Sequence, residues 1–109
     1  MQYKKSDAKA YAKENFRGVW AANLTPFDAD LRFDEQAYRE NLKHWLETLN
    51  LGGLFIAGKQ AEFFSMSILE RKRLMDLAVE AASNAGNRDG IGKPGIVTSC
   101  SDTNLDVVL

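Results

Sequence analysis

A chain of 109 residues with a formal net charge of −1 and 45% hydrophobic residues has the composition expected of one globular unit at most. Lys and Arg are interspersed with Asp and Glu, which gives no positive field for a phosphate backbone, so no nucleic-acid partner is expected. The longest uncharged apolar runs, Val19–Leu24 and Leu51–Ala57, are far shorter than the ~20 residues that cross a bilayer, and the amino terminus lacks the apolar core of a signal peptide.

Residues 1–16 are rich in Lys and Ala, with Ala8, Tyr11 and Ala12 at helical spacing, and read as a helical extension ahead of the fold proper. Gly18–Leu24 then reads as a first buried strand, stopped by Thr25-Pro26 because proline removes a ladder donor and biases its neighbour away from helix. A turn-rich loop follows. From Asp34, a plausible N-cap, the period changes: Tyr38, Leu42, Trp45, Leu46 and Leu49 fall at i, i+4, i+7, i+8 and i+11, one stripe of an α-helix. The lone His44 lies beside that stripe and reads as a surface or packing residue, with nothing nearby to tune it.

Gly52-Gly53 ends the helix, and Leu54–Ala57 is a continuous apolar run of the kind found where both faces of a parallel sheet are covered. The polar loop Gly58-Lys59-Gln60-Ala61-Glu62 follows, then a capping box, Ser67-x-x-Glu70, in which hydroxyl and carboxylate satisfy free backbone N–H groups reciprocally. That helix turns Leu74, Leu77, Ala78 and Ala81 inward and Arg71, Lys72 and Arg73 outward, and ends before Gly86. Gly95–Thr98 gives a third strand, and Ser101–Leu109 reads as a loop leading into a helix cut short.

The sequence therefore alternates strand and helix, with strand starts roughly 35–40 residues apart, the rhythm of successive β/α units. A doubly wound dinucleotide-binding sheet would carry Gly-x-Gly-x-x-Gly after the first strand, where this chain has Asn23-Leu24-Thr25-Pro26-Phe27. A (β/α)₈ TIM barrel needs no such fingerprint but takes ~250 residues, so the expected fold is α/β, the opening three units of a truncated barrel over residues 17–109. In such folds the loops leaving the carboxyl ends of the strands carry the chemistry, which places Lys59, Gln60 and Glu62 at the site. No His or Cys pair has metal-ligand spacing, Cys100 cannot form an internal disulfide, and no metal or other cofactor is expected.

Gly18-Val19-Trp20-Ala21-Ala22-Asn23-Leu24-Thr25-Pro26-Phe27, followed by Gly58-x-x-x-Glu62-Phe63-Phe64-Ser65-Met66-Ser67-x-x-Glu70-Arg71, resembles the dihydrodipicolinate synthase / N-acetylneuraminate lyase family over about residues 16–109. The resemblance implies a Schiff-base-forming barrel enzyme that acts on pyruvate or a related small 2-keto acid, a homo-oligomer, tetramer or dimer, when full length; the single Cys100 and the lack of a secretory signal point to a reducing cytoplasm. It places the imine-forming lysine on the sixth strand and the proton-transfer tyrosine on the fourth, both beyond Leu109, so the segment alone would be inactive.

The family's common loop pattern, Gly-Thr-Thr-Gly-Glu, is altered here: Lys59 and Gln60 stand where two hydroxyls relay a proton and bind the keto-acid carboxylate, and Ala61 replaces the glycine. A protonated lysine cannot repeat a neutral hydroxyl relay, whereas the glutamine amide can still donate to a carboxylate. The resemblance thus implies Lys59 as the catalytic candidate, Gln60 and Thr25 as substrate-binding residues, and Glu62 as the residue ordering the loop by accepting backbone N–H bonds. It favours a lyase, hydratase-aldolase or dehydratase over dihydrodipicolinate synthesis. The alternative of another class is a non-catalytic β/α piece that pairs with a separate chain or a full-length homologue.

Overall fold

The structure is a computed structural model, described over residues 3–102. A 3₁₀ turn leads into α1 (Ala8–Asn15); β1 (Trp20–Ala22), α2 (Glu35–Lys43), β2 (Gly53–Ile56), α3 (Ile68–Ala85) and β3 (Gly95–Thr98) follow. The strands form one parallel sheet in the order β1-β2-β3, with Trp20 opposite Gly53, Gly53 opposite Gly95, and Ala22, Phe55 and Val97 sharing a row. The expected helix start at residue 103 onward lies outside the described residues.

Sequence and structure agree where the signal is local. Asp34 caps α2, its Oδ1 accepting from the Ala37 N–H at 3.0 Å. Ser67 and Glu70 form the reciprocal capping box of α3, which stops at Gly86 with a φ of +63°. β3 has the bounds read from the sequence, whereas the other two strands differ: Gly18 (φ +78°) and Ala57 (φ +51°) sit in the left-handed region, which breaks the pleat at those positions. β1 is thereby confined to three residues and β2 ends at Ile56, one residue earlier than expected.

The stripe on the second helix departs from expectation at its end. After Lys43 the chain winds as a π-helical turn, His44–Thr48, whose extra residue per turn shifts the phase of the following residues. Leu49, expected on the apolar stripe, is exposed, and Leu51 is buried in its place. Trp45 packs against the core while half exposed, and His44 points to solvent.

The core lies on one face of the sheet, where Tyr38, Leu42 and Leu46 meet Leu54, Ile56, Leu74, Leu77 and Ala78. Fully burying each of the Leu and Ile side chains contributes roughly 1.5–3 kcal/mol. In α3 Ala82 is buried and Ala81 only half-buried, one position later than expected. Outside the core Glu35 receives two bonds from Arg73, at 2.8 and 2.6 Å, and a third from Arg39, tying α2 to α3.

The opposite face carries Trp20, Phe55 and Val97, the last two 36% and 42% exposed. The Trp20 ring lies flat across Gly53 and Gly95, and a Cβ at either glycine would fall well inside van der Waals contact with it. Phe16 packs edge-on against Trp20 at 5.2 Å and Tyr11 against Phe16 at 6.2 Å, so an aromatic ladder carries α1 onto the sheet.

Two outcomes are expected. Gly95→Ala forces the indole off its seat and lowers stability by about 1–3 kcal/mol, read as a shift in the chemical-denaturation midpoint. The Arg73 guanidinium, followed by Arg39, pulls the Glu35 carboxyl from 4.5 down to about 2, so its stabilisation is present above 4.5 and is lost as pH falls through that interval. Glu35→Gln should flatten the acid limb of the stability profile, and ~1 M salt should shrink the difference because the pair is solvated.

Candidate active site

Because all three strands are parallel, the segments that follow them emerge along one edge. That edge gathers Thr25 from the β1 exit, residues 58–66 from the β2 exit and residues 99–102 from the β3 exit.

The β2 exit is built from two short 3₁₀ turns, Lys59–Ala61 and Phe63–Ser65, hinged at Glu62 in the left-handed conformation (φ +54°, ψ 42°). Backbone bonds close them: Ala61 N–H to Gly58, Glu62 N–H to Lys59, Ser65 N–H to Glu62 and Met66 N–H to Phe63, at 2.9–3.2 Å. Ala61 and Met66 are the buried anchors, while Lys59, Gln60 and Glu62 are exposed. Among the described residues the Glu62 carboxylate accepts no hydrogen bond, so backbone geometry and the two anchors, not carboxylate capping, hold the loop. A non-glycine residue in this region of φ/ψ is strained by about 1 kcal/mol, and the surrounding turns must over-determine it. Lys59 and Gln60 also make no side-chain bond among the described residues, so both polar heads are free to meet a ligand.

At the β1 exit Thr25 is buried, and its hydroxyl has no partner among the described residues. Asn23, which the sequence reading passed over, is the second such group: it is 4% exposed and its Oδ1 is also unpaired. Both are buried polar oxygens that no protein donor satisfies among the described residues, which leaves them open to a water or a ligand group. The only sequence signal for Asn23 was a polar residue ending an apolar run. Tyr38 in the adjoining core carries a second buried, unpaired hydroxyl, and burial pushes its phenol well above the ordinary range.

The first turn of α3 laces these exits together. Glu70 accepts from the Ser67 N–H at 2.8 Å through Oε2 and from the Phe33 N–H at 3.4 Å through Oε1, which ties the β1 loop to the helix start. The Ser67 backbone bond, the Ser67 side chain and then Phe33 hold its carboxyl below the usual range. The next residue corrects the sequence reading: Arg71 is not an outward, solvated member of a charge run. It lies inward over Phe63 and pairs with Asp102 at 2.7 Å, because the first helical turn faces the loop ends while Lys72 and Arg73 turn to solvent. Cys100 is exposed at this same edge, and His44, in the turn leading into β2, belongs to the opposite edge, so the structure does not bring the two together.

Among the described residues no helix is long and apolar enough to cross a membrane. A profile of the Dihydrodipicolinate synthetase family matches residues 15–86. The chain is 42% identical over 84 residues to a probable 5-dehydro-4-deoxyglucarate dehydratase of Xanthomonas campestris, covering 75% of this chain and 26% of that protein. It is 32% identical over 66 residues to an N-acetylneuraminate lyase of Clostridium perfringens, covering 61% and 23% respectively. The chain thus spans about a quarter of the length of these relatives.

Among solved structures, N-acetylneuraminate lyase from Mycoplasma synoviae superimposes with a TM-score of 0.75 at 23% identity, over 87% of this chain and 30% of that one. This likeness concerns the fold: the three-stranded parallel sheet and its helices match part of a TIM-barrel lyase. The family match extends over well more than half of the chain, from the aromatic ladder through β1, β2 and the capped α3, and the chain belongs to the dihydrodipicolinate synthetase family.

Proposed function

We propose that this chain is the opening three β/α units of a Schiff-base-forming barrel lyase whose substrate is a 2-keto acid with a second carboxylate, and that the reaction is a dehydration. The observation that carries this reading is the β2 exit loop, which holds an ammonium and an amide, Lys59 and Gln60, exposed and unpaired at the carboxyl edge of the sheet. The dehydratases among the relatives support it, since a 5-dehydro-4-deoxyglucarate is a dicarboxylate with its ketone next to one carboxylate.

The chemistry follows from that substrate class. A lysine outside the present chain condenses with the ketone, forming the imine and releasing water. The imine acidifies the adjacent carbon, which loses a proton to give an enamine; the enamine expels the β-hydroxyl as a second water, and hydrolysis of the conjugated imine returns the lysine. Within this chain Gln60 donates its amide to the carboxylate beside the ketone. Lys59 pairs with the far carboxylate as a charge-assisted contact, fixing which end of the acid meets the imine-forming amine. Thr25 contributes its buried hydroxyl to the binding wall, and Glu62 contributes the left-handed hinge that presents Lys59 and Gln60.

Two experiments on the complete enzyme check this. Borohydride reduction in the presence of pyruvate should trap one stoichiometric adduct, and peptide mass spectrometry should place it outside residues 1–109; a specific adduct on Lys59 would overturn the assigned roles. Lys59→Met should lower kcat/KM for a dicarboxylic 2-keto acid by about 10²-fold, the scale of a lost charged contact of ~3 kcal/mol, while Lys59→Thr shifts preference towards monocarboxylic keto acids. Unchanged kinetics for Lys59→Met across both acid classes would show Lys59 to be a solvated loop residue.

A further inference from the structure

We propose that Arg71 is a positioning residue which locks the loop carrying Lys59 and Gln60 to the loop that follows β3, so that the two exits present one rigid platform to the substrate. The inference rests on the reading of the β2 exit as a keto-acid site and adds to it the device that sets the geometry of that site.

Three contacts converge on one guanidinium. Nη1 donates to Asp102 Oδ2 at 2.7 Å, Nε donates to the Met66 carbonyl at 3.2 Å, and the guanidinium carbon stands 5.2 Å from the centre of the Phe63 ring. Met66 and Phe63 belong to the β2 exit; Asp102 belongs to the β3 exit. Both side chains of the Arg71–Asp102 pair are less than one-fifth exposed, at 17% and 15%, whereas those of the other ion pairs among the described residues are 40–52% exposed. Water screens this pair least, so it orders its surroundings most. A planar fork with fixed donor directions can bond two acceptors while stacking on a ring, and a lysine ammonium cannot do all three.

The path to the site is short and covalently continuous. Met66 is buried and extended, so the Nε bond grips the loop at its anchored end. Phe63 follows the left-handed Glu62, and the bonds from Glu62 N–H to Lys59 and from Ser65 N–H to Glu62 couple any shift of the ring to the Lys59-Gln60 turn. On the other side, Ser99 N–H donates to the Ile56 carbonyl, and Ser99 Oγ accepts from the Ser101 N–H while donating to Ser101 Oγ, so the segment ending at Asp102 is itself a bonded turn. Arg71 is the side chain that joins these two bonded turns.

The test uses the complete enzyme with a dicarboxylic 2-keto acid, alongside amide hydrogen exchange. Arg71→Met and Asp102→Asn should each lower kcat by about tenfold, with KM changed by less than about threefold, because misplaced groups slow the step more than they weaken binding. The double variant should also lose about tenfold, not about a hundredfold, since the two residues act as one unit. Either single variant should speed exchange in residues 59–66 and 99–102 together, while Arg39→Met on the outer helix face leaves both loops unchanged. If the parent enzyme turns over no 2-keto acid, the functional reading fails and exchange alone decides: joint acceleration upholds the lock, and acceleration in one loop only overturns it. Additive kinetic losses would overturn it as well. Should Arg71→Met fail to fold, Asp102→Asn reads the same coupling with the arginine retained.

Discussion

The first turn of α3 sets the geometry of everything at the carboxyl edge. A helix start leaves four backbone N–H groups without internal partners, and Ser67 and Glu70 satisfy two of them reciprocally. Once Glu70 is held there its second oxygen is committed in direction, and it receives the Phe33 N–H from the loop after β1. Arg71, one residue later, is turned by 100° about the helix axis, which carries its guanidinium to the other two exits. A cap that would ordinarily serve only one helix therefore organises three loops from three strands.

Among the described residues that arrangement leaves the polar heads of Lys59 and Gln60 without protein partners. Near the edge Glu70 and Arg71 are engaged in holding backbone, and Asp102 in holding Arg71. Lys59 and Gln60 extend from a turn closed by backbone bonds, Ala61 N–H to Gly58 and Glu62 N–H to Lys59, so the turn does not use their side chains. Support and exposed surface are divided between different residues of a single short segment, which lets the surface vary without unfolding its support.

How much of this was legible in the sequence depended on range. Asp34, the Ser67–Glu70 box, Gly86 and Gly95–Thr98 were readable because a cap, a stop or a short apolar run is decided within a few residues. The ends of β1 and β2 were not, since left-handed backbone at Ala57, a residue with no preference for it, is imposed by the turn that follows. Leu49 fell off its stripe because a π-helical turn has no composition signature, yet it changes the phase of every residue after it. Arg71 was hidden differently. In an Arg-Lys-Arg run beside acidic residues a solvated face is the natural reading, and only Asp102, thirty-one positions away, distinguishes the first member from the other two. Asn23 was missed because an orphaned amide becomes visible only when its burial is known. That Lys59, Gln60 and Glu62 lie on a loop leaving a strand was legible from the apolar run before them, although the left-handed hinge at Glu62 was not.

The indole of Trp20 resting on Gly53 and Gly95 spans all three strands with a single side chain. A side chain can be accepted at either glycine only after the ring at position 20 has become smaller, yet a smaller ring on its own leaves two bare backbones facing a void and detaches Phe16 from the sheet. Each first step is worse than the starting point, although the end state with all three changed could pack well. The three positions are thus bound in mutual epistasis across three strands, and evolution along this row must proceed by a coordinated exchange or remain where it is.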